Sequence, residues 1–186
     1  TKAAMVCDAR LGLEALILEL GAVFGKNGTV RVLAAKTEKW KAFAPLAVSN
    51  KMPIKPERVL ADLAKHLPDD AVVCADPGTP CPYFSAWFEW RKPGRYFITN
   101  RAHGALGFAI GASIGAQIGR PNAKVICATG DGSFGMSVGE LETMKRLNLP
   151  ITILVFSNSV FGWIKAGQKS GFGARYFSVD FSRTDH

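Results

Sequence analysis

Apolar residues occur along this chain in two spacings. Some form short solid runs, and others recur every three or four positions. Ala71 to Ala75 (AVVCA), Val125 to Thr129 (VICAT) and Ile151 to Phe156 are too short for helices and end in turn residues. They predict buried strands. Tyr96 to Ile98 predicts a further short strand. Between them lie helical patterns. Pro56 opens PERVLADLAKHL at the helix position proline favours. A second helix is expected around Phe84, Trp87 and Phe88, a third from Gly104 to Gly119, and a fourth after Gly130. A last helix is expected from Phe161. Strands alternating with helices imply a parallel sheet. The predicted class is α/β, a parallel sheet flanked by helices on both faces.

The first quarter of the chain reads differently. Residues 11–24 (LGLEALILELGAVF) have helical spacing, Val30 to Leu33 predicts a short strand, and Glu38 to Phe43 a helical turn or two. Pro45, Asn50, Pro53 and Pro56 then follow closely, which is linker chemistry. Residues 1–45 are too few to hold a core. The expected organisation is the tail of a preceding domain over 1–45, a linker over 46–55, and a principal domain over 56–186. The chain opens at Thr1 without an initiator methionine and stops in a polar stretch at His186. It is therefore expected to be a fragment, truncated near its C-terminus.

Composition narrows the class. With 48% hydrophobic and 20% charged residues, the 186-residue chain is neither disordered nor membrane-like. Its longest charge-free stretch, Ala102 to Gly119, carries His103 and Gln117 and falls short of the ~20 strongly apolar residues a membrane span needs. The net charge of +8 comes from scattered basic residues rather than a run. That argues for a solvated surface or an anionic small ligand over nucleic acid. Four cysteines form no CxxC pair. Cys74 and Cys127 sit inside apolar runs as small core residues, and a reducing, cytoplasmic setting is the simplest inference. Gly107, Gly111, Gly115 and Gly119 recur every four residues, a smooth stripe suited to close packing in a core or a dimer interface.

The candidate chemistry lies at two strand ends. Gly130-Asp131-Gly132-Ser133 closes one apolar run, and Ser157-Asn158-Ser159 closes the next. A right-handed crossover between parallel strands brings both ends to one sheet edge. Glycines let backbone N–H groups approach phosphate oxygens, and a following helix offers them its N-terminus. Asp131 is a hard oxygen ligand suited to magnesium bound together with a phosphate. Asn158 can add a neutral oxygen, and Val160 a backbone carbonyl. A dinucleotide-binding Rossmann domain is a second reading, because Gly135 completes a G-x-G-x-x-G spacing.

GDGSF-x-M-x-x-x-E-L-x-T, then NLPI, then Asn158, resembles the C-terminal diphosphate-binding domain of thiamine-diphosphate-dependent enzymes. The acetolactate synthase, pyruvate oxidase and 2-oxoacid decarboxylase group is the nearest in pattern. The resemblance covers roughly residues 53–186 and makes residues 1–45 the end of that group's central domain. It implies a magnesium ion held by Asp131, Asn158 and the Val160 carbonyl, with Gly132 and Ser133 at the diphosphate. The group often has two asparagines at the second motif, where this chain has Ser157 and Asn158. It further implies that Leu106 sits beneath a bent cofactor and that the Gly104 carbonyl accepts from the cofactor's 4′-amino group. Gly78 and Thr79, in the loop Asp76-Pro77-Gly78-Thr79-Pro80, are expected to meet the diphosphate. His103 is a candidate for proton transfer or substrate binding, or for a capping role. Phe161, Gly162, Trp163 and Gln168 lie where the group's substrate pocket is partly built, with Trp163 read as a packing residue. Lys165 and Lys169 are candidates to meet an acidic substrate.

The implied chemistry is lyase or transferase: decarboxylation of 2-oxoacids, or making and breaking C–C bonds beside a carbonyl. The implied partners are a 2-oxoacid or aldehyde substrate and the N-terminal pyrimidine-binding domain of a partner subunit, whose glutamate activates the cofactor. No segment here resembles that domain. The chain is therefore expected to be inactive alone and to belong to a homodimer or homotetramer. A non-catalytic module that keeps the fold is the remaining alternative.

Overall fold

A computed structural model of the chain describes residues 4–21 and 28–186. It divides into two compact units, Thr1–Lys41 and Ala42–His186. The first contains α1 (Ala9–Leu20) and most of α2 (Thr29–Ala47), which runs on into the second. Asp8 caps α1 by accepting from the N–H groups of Arg10 and Leu11 at 3.0 and 3.1 Å. The helix expected over residues 11–24 is thus present to Leu20, and positions 22–24 lie outside the described residues.

The strand expected at Val30 to Leu33 is not there. Those residues form the first turns of α2. Two β-branched residues suggested a strand, but the following Ala, Lys and Glu positions are good helix formers and carry the helix through. Pro45, read as linker, lies inside the last turn of α2.

The second unit is built on four parallel strands: β1 (Val72–Ala75), β2 (Phe97–Thr99), β3 (Val125–Gly130) and β4 (Thr152–Phe156). Their order across the sheet is β2-β1-β3-β4. β1 and β3 are in register with Cys74 opposite Cys127, and β3 and β4 with Gly130 opposite Phe156. The remaining helices are α3 (Pro56–His66), α4 (Pro80–Trp87), α5 (Phe108–Gly119), α6 (Asp131–Ser137), α7 (Glu140–Arg146) and α8 (Gly162–Gly171).

Alternate residues of β1 and β3 serve opposite faces, as strand geometry requires. Val73, Ala75, Ile126 and Ala128 pack with Leu60 of α3 and Phe84 of α4. Phe84 is fully buried, which contributes about 1.5–3 kcal/mol. On the other face Val72, Cys74 and Val125 meet Ala112 and Ala116 of α5. Cys127 joins Ile110 of α5 and Met144 of α7. The predicted class therefore holds, with both faces covered. Burial raises the Cys74 thiol to about 11 and the Cys127 thiol to about 12, partly offset by hydrogen bonding to Ser113. Both are core residues.

Two helix boundaries differ from expectation. The helix expected from Gly104 begins at Phe108, because Gly104 and Gly107 have φ of 74° and 85° and cannot be helical. The single helix expected after Gly130 is broken into α6 and α7 around Val138 and Gly139. Gln117 is buried because its amide donates to the carbonyls of Arg120, Pro121 and Ala123, which leave the end of α5. Gly111, Gly115 and Gly119 face outward, with open space where a Cβ would stand. Among the described residues no helix is long and apolar enough to cross a membrane.

Candidate functional site

Every strand of a parallel sheet ends on the same edge, and loops from all four meet there. The loop after β1 starts with Asp76, which is fully buried. Its carboxylate accepts from the Ala109 N–H at 3.0 Å and from the Thr129 hydroxyl at 2.5 Å. It thus ties the end of β1 to the first turn of α5 and to β3. Burial raises the Asp76 pKa. The Thr129 hydroxyl and the backbone N–H groups of Ala109, Phe108 and Gly107 oppose that shift.

Asp131 follows β3 and opens α6. One carboxylate oxygen accepts from the Gly132 N–H at 2.8 Å. The other accepts from the Asn158 and Ser159 N–H groups, at 2.7 and 2.6 Å. One side chain therefore joins the GDG turn to the SNS turn beyond β4. Ser159 adopts a left-handed φ of 56°. The Asn158 side-chain oxygen accepts from the Val160 N–H at 3.2 Å. Val160 and Asp180 then form an antiparallel bridge, with the Phe161 N–H on the Val179 carbonyl and the Phe181 N–H on the Ser159 carbonyl.

These loops enclose a cleft of about 300 Å³. Its wall includes Gly78, Thr79, Gly104, Leu106, Asp131, Gly132, Ser133, Asn158 and Val160. Nine residues singled out in sequence, from four separate segments, thus share one cavity. Contacts across it are close. A Cβ on Gly78 would lie 3.6 Å from a Leu106 methyl, and one on Gly162 would lie 3.1 Å from the Thr79 hydroxyl. A Cβ on Gly132 would lie 2.5 Å from the Phe161 ring, so that ring occupies the space a side chain would need.

Of the other expected residues, Phe161, Gly162 and Trp163 join this wall, and the rest stand outside it. His103 is exposed and outside the wall; its backbone N–H donates to Asn100. Trp163, expected to pack, is 55% exposed and lines the cleft. It opens α8, a helix with no buried residue. The Gln168 amide is spent on the backbone of Phe177, donating to its carbonyl and accepting from its N–H. Lys165 pairs with Asp180 at 2.6 Å, and neither it nor Lys169 lines the cleft.

Two residues of this edge carried no sequence signal that distinguished them. Asp76 was read only as part of a turn, although an acid directly after a buried strand is a recognisable partner for a neighbouring helix N-terminus. Arg101, in the wall with Gly104, stands in no motif of the sequence. The G-x-G-x-x-G reading has no support in the packing. That fingerprint follows a first strand, and its third glycine closes the helix onto the sheet. Here it follows the third strand in the chain, and a Cβ on Gly135 would meet nothing within 4 Å.

The second unit has counterparts among known proteins. Residues 76–186 match the family model described as thiamine pyrophosphate enzyme, C-terminal TPP binding domain. The chain is 29% identical over 190 residues to the probable acetolactate synthase large subunit of Methanococcus aeolicus, covering 95% of this chain and 32% of that protein. It is 38% identical over 118 residues to the acetolactate synthase isozyme 2 large subunit of Escherichia coli K12, covering 63% of this chain and 21% of that one. A solved structure, the thiamine diphosphate-dependent 4-hydroxybenzoylformate decarboxylase of Rhodococcus jostii RHA1, superposes with a TM-score of 0.67. At 23% identity, over 74% of this chain and 26% of that one, the likeness is one of fold. The chain spans at most about a third of the length of these curated relatives.

Proposed function

We propose, for a chain that belongs to the thiamine pyrophosphate enzymes through their C-terminal TPP binding domain, that the cleft seats thiamine diphosphate with a magnesium ion. Asp131 carries this reading. It is nearly buried, lines the cavity, and fastens the two turns that would hold the diphosphate and the metal. Its carboxylate and the Asn158 carboxamide are hard oxygen donors. Among the described residues no three His, Cys, Asp or Glu side chains group as a metal site. A metal here would therefore draw on one carboxylate, one amide, the Val160 carbonyl and oxygens of the ligand itself. That is the donor set magnesium takes in phosphate sites. The residues present fit the group.

When bound, thiamine diphosphate supplies the nucleophilic carbon and electron sink that 2-oxoacid decarboxylation and carboligation require. This chain's share is binding and orientation. Gly132 and Ser133 would stand at the diphosphate, Gly78 and Thr79 would close over it, and Leu106 and the Gly104 carbonyl would support the rings. His103, next in the chain to Gly104, would be the candidate for proton transfer or substrate binding. The reaction proposed is acetolactate synthase-like, on a 2-oxoacid or aldehyde in the cytoplasm.

The activating carboxylate would come from the pyrimidine-binding domain of a partner subunit, and the segment 56–186 would not turn over alone. The outward glycine face of α5 is a surface on which such a partner could approach closely. Residues 1–45 would end the preceding domain, with the linker following.

Titration of thiamine diphosphate into the full-length protein, with and without magnesium, tests the reading. At a hundred times Kd, binding stabilises by about 2.7 kcal/mol, which a rise in Tm reads. The rise is expected only with magnesium and is expected to vanish in Asp131→Ala. A rise with NAD and none with thiamine diphosphate would refute the reading.

A further inference from the structure

The cleft has an electrostatic layout that cofactor binding does not use up. Only two side chains in its wall carry an acidic or basic group, Asp131 and Arg101. They follow different, non-adjacent strands. Asp131 follows β3 and Arg101 follows β2, with β1 between them. Neighbouring strands are about 4.8 Å apart, so the two strand ends are separated by about 10 Å. Gly78, where a Cβ would lie 3.6 Å from a Leu106 methyl, follows β1, the strand between them.

Several basic side chains outside the cleft are already engaged. Arg91 pairs with Asp69, Lys165 pairs with Asp180, and the Arg120 guanidinium stacks on Tyr96. The Arg101 guanidinium has no hydrogen bond or ion pair among the described residues. It is exposed, so the fold does not depend on it. An arginine free of partners on the wall of a ligand cleft presents a planar fork suited to a carboxylate. The two lysines that the sequence offered for an acidic substrate are absent from the wall, which leaves this role to Arg101.

We propose that Arg101 is the specificity-determining residue that receives the carboxylate of an anionic substrate, two strands away from Asp131. The proposal rests on the cofactor reading above. The Asp131 side would take the diphosphate, and Arg101 would take a second anion. It selects 2-oxoacids over uncharged carbonyl compounds.

The test uses the full-length protein saturated with magnesium and 3-deazathiamine diphosphate, an analogue that cannot form the reactive carbon, so that titrated acids bind without turnover. Pyruvate, benzoylformate and their methyl esters are titrated by calorimetry into the wild type, Arg101→Gln and Arg101→Lys. Removing a charge-assisted hydrogen-bond pair is expected to weaken at least one acid roughly 10–100-fold in Arg101→Gln. Ester binding is expected to be unchanged, and Arg101→Lys to recover part of the loss. Thiamine diphosphate affinity, measured separately in all three proteins, is expected to stay within about twofold, as for a substituted exposed residue. An equal loss of cofactor affinity would overturn the proposal by assigning Arg101 to the diphosphate. Acids bound equally by wild type and Arg101→Gln, or not bound by the wild type, would overturn it as well. Absence of magnesium-dependent cofactor binding in the wild type would instead sink the cofactor reading, and that arm is measured first.

Discussion

Asp76 and Asp131 are built alike and do different work. Each follows a strand of the sheet, β1 or β3, and each carboxylate accepts from backbone N–H groups of a distant segment. Asp76 holds the start of α5, and Asp131 holds the SNS turn. Asp76 has no exposed surface, and its two oxygens are taken by Ala109 and Thr129. Asp131 keeps 5% exposure and stands in the cleft wall. One carboxylate is thus sealed into the scaffold, and the other can still offer lone pairs to a ligand. The same local device serves framework or site according to whether a cavity reaches it.

Substitution should separate the two roles. The largest effect is expected for Asp131→Ala on cofactor affinity, a loss of about 100-fold or ~2.7 kcal/mol, read by calorimetry. Asp76→Ala should instead lower stability by about 1–3 kcal/mol, because the Ala109 N–H and Thr129 hydroxyl lose their buried acceptor. Urea unfolding measures it, and the comparison breaks if cofactor affinity falls further than stability does.

Gly132→Ala sharpens the Asp131 side. Its new methyl group meets the Phe161 ring, with an expected cost of about 1–3 kcal/mol. Pairing it with Phe161→Ala should recover much of that cost, and additive losses in the double mutant would refute the contact.

Asp76→Asn gives the smallest effect, visible only with pH. Burial holds the Asp76 carboxyl above the ordinary aspartate range, so the native state keeps the proton to higher pH than the unfolded chain. Stability from this group is full below the unfolded pKa and falls as pH climbs to the folded value, then levels off. The wild type minus Asp76→Asn stability difference should therefore decline upward from about pH 4. A difference that rises with pH would contradict the burial argument.

The alternating strands and helices were legible because short apolar runs bounded by turn residues have few other uses. The paired GDGS and SNS turns were legible for a related reason: glycine, aspartate and asparagine at strand ends state the backbone and donor chemistry they permit. Val30 and Val32 misled because β-branching favours a strand only when a neighbour is there to pair. Gly104 and Gly107 hid the true start of α5, since glycine inside an apolar run shows nothing of the sign of φ. Asp76 and Arg101 were not legible as partners of anything. Their meaning lies in which strands become neighbours, and the order β2-β1-β3-β4 is not written in local pattern. Trp163 resisted for a related reason, because a tryptophan at the head of a helix packs or lines a cavity depending on what lies opposite.

The bridge between Val160 and Asp180 bears on how the domain matures during synthesis. The Phe181 N–H holds the Ser159 carbonyl, so the turn carrying Asn158 gains one of its fasteners from chain made well after it. While a ribosome is still translating toward that point, the sheet can assemble but this turn is not yet clamped. Competence to take up the cofactor should therefore trail behind assembly of the sheet on the nascent polypeptide.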